Sequence, residues 1–256
     1  MNNQPLKTDS VMKKQQWIVA AIVGLSVVVF ALIIGSSYKY KYRVQDKIAV
    51  TGLGEQEFVS DLIVWGGWIV EQNTSIEVGY AKLNANKEKV QKYIHDKGIA
   101  DSDVVFMFVN VEKQNEPIYS SEGRYMGNRF TGYVLRQEFR VESTNVETVE
   151  NISREISSLI AQGVQMDSRQ PEYYYTKLSD LKLELIEKAT EDAHTRAQKI
   201  ADKSGSSLGS LATGRMGVFQ ITGANSNEAL SAGGNYNSSS KNKKASITMR
   251  LEYHIK

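Results

Sequence analysis

The sequence contains no cysteine among its 256 residues. This absence excludes disulfide bonds, thiolate metal sites and cysteine nucleophiles. It is compatible with export to an oxidising compartment but does not establish it.

The larger part of the chain also lacks any surplus of positive charge. Residues 1–46 hold six basic and two acidic residues, whereas the whole chain has a net charge of only +2. Residues 47–256 therefore carry 25 basic against 27 acidic residues. The basic isoelectric point comes from the N-terminal region alone, so charge excludes a nucleic-acid partner for the remainder.

No enzyme motif stands in the context that its chemistry requires. Residues 205–209, GSSLG, match the serine-hydrolase pattern G-x-S-x-G. That mechanism needs a strand–turn–helix elbow, but here the pattern follows a predicted helix, so Gly205 is expected to be a C-cap. Glu191 and His194 have the spacing of a di-iron helix but lack the second copy that such a site needs. His95 and His254 have no partners in the sequence either.

Two further patterns have structural explanations. Asp101 and Asp103 are not followed by the other ligands of a calcium loop, so we assign them to a solvated turn. Gly52 and Gly54 lack the third glycine and the helix of a phosphate-binding loop, so a bend or bulge is expected there. The sequence thus predicts no catalytic residue, no cofactor and no metal site, and an enzyme whose site assembles only in the fold is the weaker alternative.

A long apolar run stands at residues 17–35, WIVAAIVGLSVVVFALIIG, without a single charge. At about 1.5 Å rise per residue, a helix of this length spans about 28 Å, which matches the hydrocarbon core of a bilayer. Basic and aromatic residues flank it on both sides, as expected at headgroup level. The predicted organisation is a short polar tail (1–16), a transmembrane helix (17–35), a juxtamembrane linker (36–46) and a folded domain (47–256).

A cleaved signal peptide is the main alternative for this run. Signal peptides have apolar regions of about 7 to 15 residues that end in a small-x-small site. This run is longer, and residues 34–36, Ile-Gly-Ser, are a poor cleavage signal, which favours an uncleaved anchor. Three basic residues flank each side, so the positive-inside rule leaves the orientation open.

Helical and strand patterns interleave after residue 46, which predicts an α+β domain with a sheet packed against about three helices. The predicted strands are Lys47–Val59 (interrupted at Gly52 and Gly54), Val104–Val111, Phe130–Val141, Val164–Tyr175 (broken by Pro171), Ser210–Thr222 and Ala245–Ile255. The predicted helices are Asn73–Lys97 (capped by Thr74 or Ser75), a helix from the capping box Thr144–Glu147 to Gly163, and Leu178–Ser204 with an apolar stripe that includes Ala189, Ala193 and Ala197. The polar segments Glu112–Arg129 and Gly223–Lys244 are predicted to be loops, the second of them mobile.

The stretch Leu62–Val70, LIVWGGWIV, allows two interpretations. Gly66-Gly67 between apolar arms is a two-residue hairpin signal, and the local pattern favours it. The alternative is one continuous strand with a bulge at the glycines.

The order of these stretches resembles the SIMPL-domain family of bacterial envelope proteins, over about residues 47–256. The stretches that carry the resemblance are Val50–Glu55 with Asp61, the Asn84 helix ending in Asp96–Asp103, Thr131–Tyr133 with the helix ending in Gly163, and the alanine-rich helix (Ala189, Ala193, Ala197, Ala201) followed by Ser204-Gly205 and Leu208-Gly209. The family also includes periplasmic proteins related to oxidative-stress defence.

The resemblance implies an exported domain without enzyme activity that forms ring-like or channel-like homo-oligomers. It implies the periplasmic side of the inner membrane for the domain, and it favours the continuous strand at Gly66-Gly67. Many members have a cleaved signal peptide, so the long anchor is a departure.

Aromatic residues on predicted strands are the remaining site candidates. They are Trp65, Trp68, Tyr173, Tyr174 and Tyr175. Such residues could stack on a sugar or a peptide, but aromatics on strands more often belong to a core or a subunit interface, and we assign them to an interface.

The predicted function is a single-pass membrane protein that acts through homo-oligomeric assembly, with envelope or oxidative-stress protection as its role. A monomeric module that binds a ligand of undetermined identity is the alternative.

Overall fold

An N-terminal helix, α1 (Thr8–Lys41), precedes the domain in the computed structural model, which describes residues 8–41 and 46–256. Its segment Trp17–Tyr38 is long and apolar enough to cross a membrane, and none of it is buried against the rest of the protein. The helix is therefore a membrane anchor or a signal sequence. It extends beyond both ends of the predicted span, while residues 1–7 and 42–45, in the predicted tail and linker, lie outside the described residues.

The rest of the described chain alternates strands and helices, which confirms the α+β class. The elements are β1 (Lys47–Val59), β2 (Leu62–Asn73), α2 (Ile76–Asp96), β3 (Val104–Tyr119), β4 (Tyr125–Ser143), α3 (Val146–Glu155), β5 (Met166–Ser168), β6 (Glu172–Tyr174), α4 (Leu178–Ser204), β7 (Leu208–Met216), β8 (Gln220–Gly223), β9 (Asn235–Tyr236) and β10 (Asn242–Ile255). Short 3-10 helices stand at Asp101–Asp103 and Ile156–Gln162.

The strands form two five-stranded sheets. One sheet, here called the terminal sheet, contains β1, β7, β8, β9 and β10. In it β10 lies between β1 on one side and β7 and β8 on the other, and β9 pairs with β8 in parallel. The other sheet, here called the hairpin sheet, has the strand order β3-β4-β2-β5, with β6 also paired to β2. All pairs except β8–β9 are antiparallel, so each sheet can bury one face and leave the other open to water.

Helices α2 and α3 cover one face of the hairpin sheet and complete the largest core. Along β2 the odd-numbered residues Ile63, Trp65 and Ile69 are buried, and the even-numbered residues face the opposite side. The Trp65 ring meets the Phe139 ring edge-on, with 5.3 Å between the centroids. Helix α2 begins after Ser75, whose Oγ accepts a hydrogen bond from Val78 N, as predicted.

Strand β2 runs without interruption through Gly66 and Gly67, so the hairpin that the local pattern favours is wrong and the continuous strand is confirmed. The bulge expected at the glycines is wrong, because the register of β2 with β4 is unbroken there. The glycines allow neighbouring backbone to come close. A Cβ on Gly67 would lie 2.2 Å from Asp167 O of β5, and one on Gly66 would lie 2.3 Å from Phe139 O of β4.

Helix α4 covers one face of the terminal sheet, and glycines and alanines bring the two into direct backbone contact. The alanines predicted to form its stripe, with Ala201, are fully buried. A Cβ on Gly52 would lie 2.1 Å from Ala189 O, and one on Gly54 would lie 2.2 Å from Leu185 O. These glycines do not form a bulge in β1, whose register with β10 is unbroken. The expected bulge is wrong, because the glycines serve close packing of a helix on a strand.

Four other predictions need correction. The segment Glu112–Arg129 is not a loop, because β3 and β4 extend through most of it. Helix α3 is capped by Asn145, whose Oδ1 accepts from Thr148 N, and not by a capping box at Thr144. The predicted strand Ser210–Thr222 divides into β7 and β8. The segment Gly223–Lys244 contains β9 and the start of β10.

Candidate interaction surface

The five aromatic candidates separate into two groups by burial. Trp65 and Tyr173 are 2% and 7% exposed and belong to the core of the hairpin sheet. Trp68, Tyr174 and Tyr175 are partly buried. Tyr174 donates a hydrogen bond to Glu172, and this bond raises the pKa of the phenol. The candidates that a partner could reach are therefore Trp68, Tyr174 and Tyr175.

The residues of the enzyme-like patterns cap a helix or contact neighbouring side chains. Gly205 ends α4 in the left-handed conformation with φ 76°, which confirms the predicted C-cap, and Ser207 follows it without an elbow. The His194 ring lies edge-on to the Tyr253 ring, with 5.7 Å between the centroids. Asp103 accepts a hydrogen bond from a serine of β4 at 3.0 Å. In the described part of the chain, no group of three or more histidine or carboxylate side chains could hold a metal ion.

A two-stranded arm projects from the hairpin sheet at residues 114–132. Strand β2 ends its pairing with β4 at Asn73–Tyr133, so beyond that point β3 and β4 pair only with each other. At about 3.3 Å per residue the arm reaches about 20 Å past the sheet. Its turn is closed by Ser120, whose N donates to Arg124 O at 2.8 Å.

The arm exposes apolar and aromatic side chains along its length. Tyr119 and Tyr125 contact each other near the turn, with 6.1 Å between ring centroids, yet each stays 59% exposed. The other exposed apolar side chains of the arm are Ile118, Met126 and Phe130. An ion pair between Arg129 and Glu116 at 2.8 Å crosses the two strands. The loop predicted at Glu112–Arg129, as a segment free to meet a partner, is instead a pair of strands that exposes these side chains.

One face of the hairpin sheet, here called the open face, is covered by no helix among the described residues, and it carries a row of alternating charges on β4. Arg136, Glu138, Arg140 and Glu142 occupy every second position, between buried neighbours. Their ion pairs within the chain lie at the surface: Arg140 with Glu142 at 3.5 Å, Glu138 with Arg169 at 2.8 Å and Arg136 with Glu112 at 4.0 Å.

Strand β2 supplies the apolar part of the open face. Val64, Gly66, Trp68 and Val70 stand beside Glu142, Arg140, Glu138 and Arg136 in register. The Arg169 guanidinium lies over the Trp68 ring at 5.0 Å and holds the indole on this face. A groove of about 220 Å³ opens beside Gly66, and Arg140 and Tyr174 also line it.

Residues 224–241 connect the two sheets. Tyr173 N of β6 donates to Ser238 O, and Lys241 Nζ lies 3.1 Å from Glu150 on α3. Lys243, 1% exposed, points its ammonium group at Asn237 O within this segment. Burial lowers the pKa of Lys243 to about 8. The segment is thus built into the domain by hydrogen bonds to both sheets.

Residues 48–251 match the family SIMPL, described as "Protein of unknown function (DUF541)". No curated protein matches the chain. The match covers nearly all of both sheets and their three helices. This chain belongs to the SIMPL family.

Proposed function

We propose that this protein is a non-enzymatic, membrane-anchored envelope protein whose domain acts by assembling with other copies of itself. The observation that carries the proposal is the arm at residues 114–132. A two-stranded hairpin is at best marginally stable by itself in water. This one exposes Tyr119, Tyr125 and Met126, and within residues 8–41 and 46–256 no helix packs on either side of it. A neighbouring copy that covers the arm would bury these side chains and stabilise the hairpin.

The arm suits an assembly of more than two subunits. An arm that reaches onto a different surface of the next copy forms a heterologous contact, and heterologous contacts produce rings when the rotation closes. The ring-like or channel-like assembly implied by the family resemblance needs a contact of this kind. Strand β3 is also an edge strand, which leaves backbone groups available for a neighbour.

Anchoring in a bilayer favours such assembly. We assign residues 17–35 as the anchor, 1–16 as its tail, 36–46 as the linker and 47–256 as the assembling domain. Confinement to a surface raises the effective concentration of neighbouring copies without any new contact. We assign the domain to the extracytoplasmic side of the inner membrane, where it would serve envelope or oxidative-stress protection.

The assembly is tested by one exposed side chain on the arm and a matched control elsewhere. Met126 on the arm and Leu183 on α4 are both 68% exposed. Met126→Glu and Leu183→Glu therefore add the same charge to equally exposed positions. The measurement is the molar mass of the full-length protein in detergent, with chemical cross-linking in native membranes. We expect Met126→Glu to lower the oligomer mass and Leu183→Glu to leave it at the wild-type value.

A wild-type protein that is monomeric in both detergent and membranes would contradict the proposal. The monomeric ligand-binding module would then be the better account. Equal effects of the two variants would show that the arm is not the contact. Protease digestion of cells with a permeabilised outer envelope tests the location, since complete protection of residues 47–256 would place the domain in the cytoplasm.

A further inference from the structure

We infer that the open face of the hairpin sheet is a contact between two copies of this chain, related by a two-fold axis. The axis lies in the interface and crosses the strands between the levels of Glu138 and Arg140. The inference rests on the proposed function, because it identifies a second surface of the same assembly. The arm extends the assembly, and the open face pairs its subunits.

The charges of β4 are self-complementary about this axis. A two-fold axis across the strands places β4 of one copy antiparallel over β4 of the other, so Glu138 faces Arg140 of the second copy and Arg140 faces Glu138. One step further out, Arg136 faces Glu142 by the same operation. A two-fold axis along the strand would instead place each charge over its own equivalent, arginine over arginine. Like charges in contact are costly, so the alternation selects the antiparallel arrangement.

The same axis makes β2 self-complementary in shape. Because Gly66 stands level with Arg140 and Trp68 level with Glu138, Gly66 of one copy faces Trp68 of the other. The groove of about 220 Å³ beside Gly66 thus lies opposite an indole that is already on this face. Val64 and Val70 face each other in the same way. The same two-fold axis therefore pairs opposite charges on β4 and places a large side chain opposite a groove on β2.

The two sets of residues have different roles in the contact. Sheets that pack face to face lie about 10 Å apart with their strands within about 30° of each other, so side chains from both faces interdigitate. Tryptophan in a pocket is the kind of residue that supplies most of the affinity at an interface. The charge row is paired within each chain and, apart from the less exposed Glu138, is about half exposed, so it supplies orientation more than affinity.

The test reverses charges so that complementarity is first lost and then restored. In the positive variant, Glu138→Lys and Glu142→Lys leave only basic residues in the row. In the negative variant, Arg136→Glu and Arg140→Glu leave only acidic ones. The molar mass of each full-length variant is measured in detergent at low salt, alone and mixed one to one.

We expect each variant alone to form a smaller assembly than the wild type and the mixture to return to the wild-type mass. Two control variants make the same changes in charge on the exposed face of α4. They are Glu187→Lys with Glu191→Lys, and Lys199→Glu with Lys203→Glu. Both controls are expected to keep the wild-type mass without mixing. Trp68→Ala, which leaves the row intact, is expected to reduce the mass as the charge variants do.

Failure of the two-fold contact and failure of the proposed function give different results. If Met126→Glu reduces the mass while both charge variants keep it, the open face is not the contact and the arm-based assembly stands. If the charge variants lose mass and mixing does not restore it, the loss comes from misfolding and the two-fold contact is overturned. If the wild type is a monomer in detergent and in membranes, both proposals fail together.

Discussion

Replacing Ala193 by leucine tests the packing of α4 on β1. Ala193 is fully buried, and its N and Cβ would lie 2.5 and 2.7 Å from a Cβ on Gly52. Leucine adds three carbon atoms at a point where the opposing surface is backbone, so no side chain can move aside. Overpacking typically costs about 1 to 3 kcal/mol, and the backbone displacement required here leads us to expect about 3 kcal/mol.

The assay is urea unfolding of the full-length protein in detergent, followed by far-ultraviolet circular dichroism. Ala85→Leu on α2 is the matched control, because Ala85 is exposed and leucine is nearly as good a helix former as alanine. We expect the control to change the unfolding free energy by less than about 0.5 kcal/mol. Equal midpoints for the two variants would refute the close approach of helix and strand.

A second substitution at the same contact makes this test sharper. Gly52→Ala introduces the Cβ that would overlap Ala189 O, so it should destabilise the domain on its own. Once Ala193→Leu has displaced the helix, the added methyl group meets less resistance. The two changes together should therefore cost less than the sum of the single changes. Strict additivity would show that the two residues do not share one contact.

Three further measurements address other parts of the molecule. Because burial lowers the pKa of Lys243 from 10.5 to about 8, the unfolded chain binds more protons between these values. Between pH 7 and a pH above 10, the unfolding free energy of the wild type should therefore rise by about 3 kcal/mol more than that of Lys243→Met. Parallel plots of unfolding free energy against pH, measured by urea unfolding, would contradict this. Asp61 accepts from Thr176 N and Oγ1, both at 2.7 Å, so Asp61→Ala should lower the unfolding free energy by about 1 to 2 kcal/mol and Asp61→Asn by less. The full-length protein should stay with the membrane after a carbonate wash, and a soluble form beginning near Ser36 would show cleavage instead.

Local patterns were enough to predict where the three helices after residue 46 lie. Helix α4 has the predicted bounds, Leu178–Ser204, because its stripe and the glycine after it are signals contained in one segment. The local pattern alone misleads at the four glycines of β1 and β2, because their partners are distant in the chain. Gly54 meets Leu185 O and Gly67 meets Asp167 O, contacts that exist only once the sheets have formed.

The surfaces were harder to predict than the core. Both faces of the arm are exposed to water, so residues 114–132 lack the apolar alternation that identifies a half-buried strand. The charge row was visible in principle. The apolar residues Leu135, Phe139 and Val141 of β4 predicted a strand, and the same alternation places the charges on its other face. The match in shape between Gly66 and Trp68 about the same axis depends on the register of β2 with β4, which the sequence does not contain.

The two ends of the domain meet at one corner of the terminal sheet. Ile255 N donates a hydrogen bond to Asp46 O, and Lys47 stands opposite His254. Since hydrogen-bonded neighbours must share a compartment, Ile255 and Asp46 lie on the same side of any bilayer that α1 crosses. A reporter enzyme fused after Lys256 would thus report which side of the membrane holds both sheets.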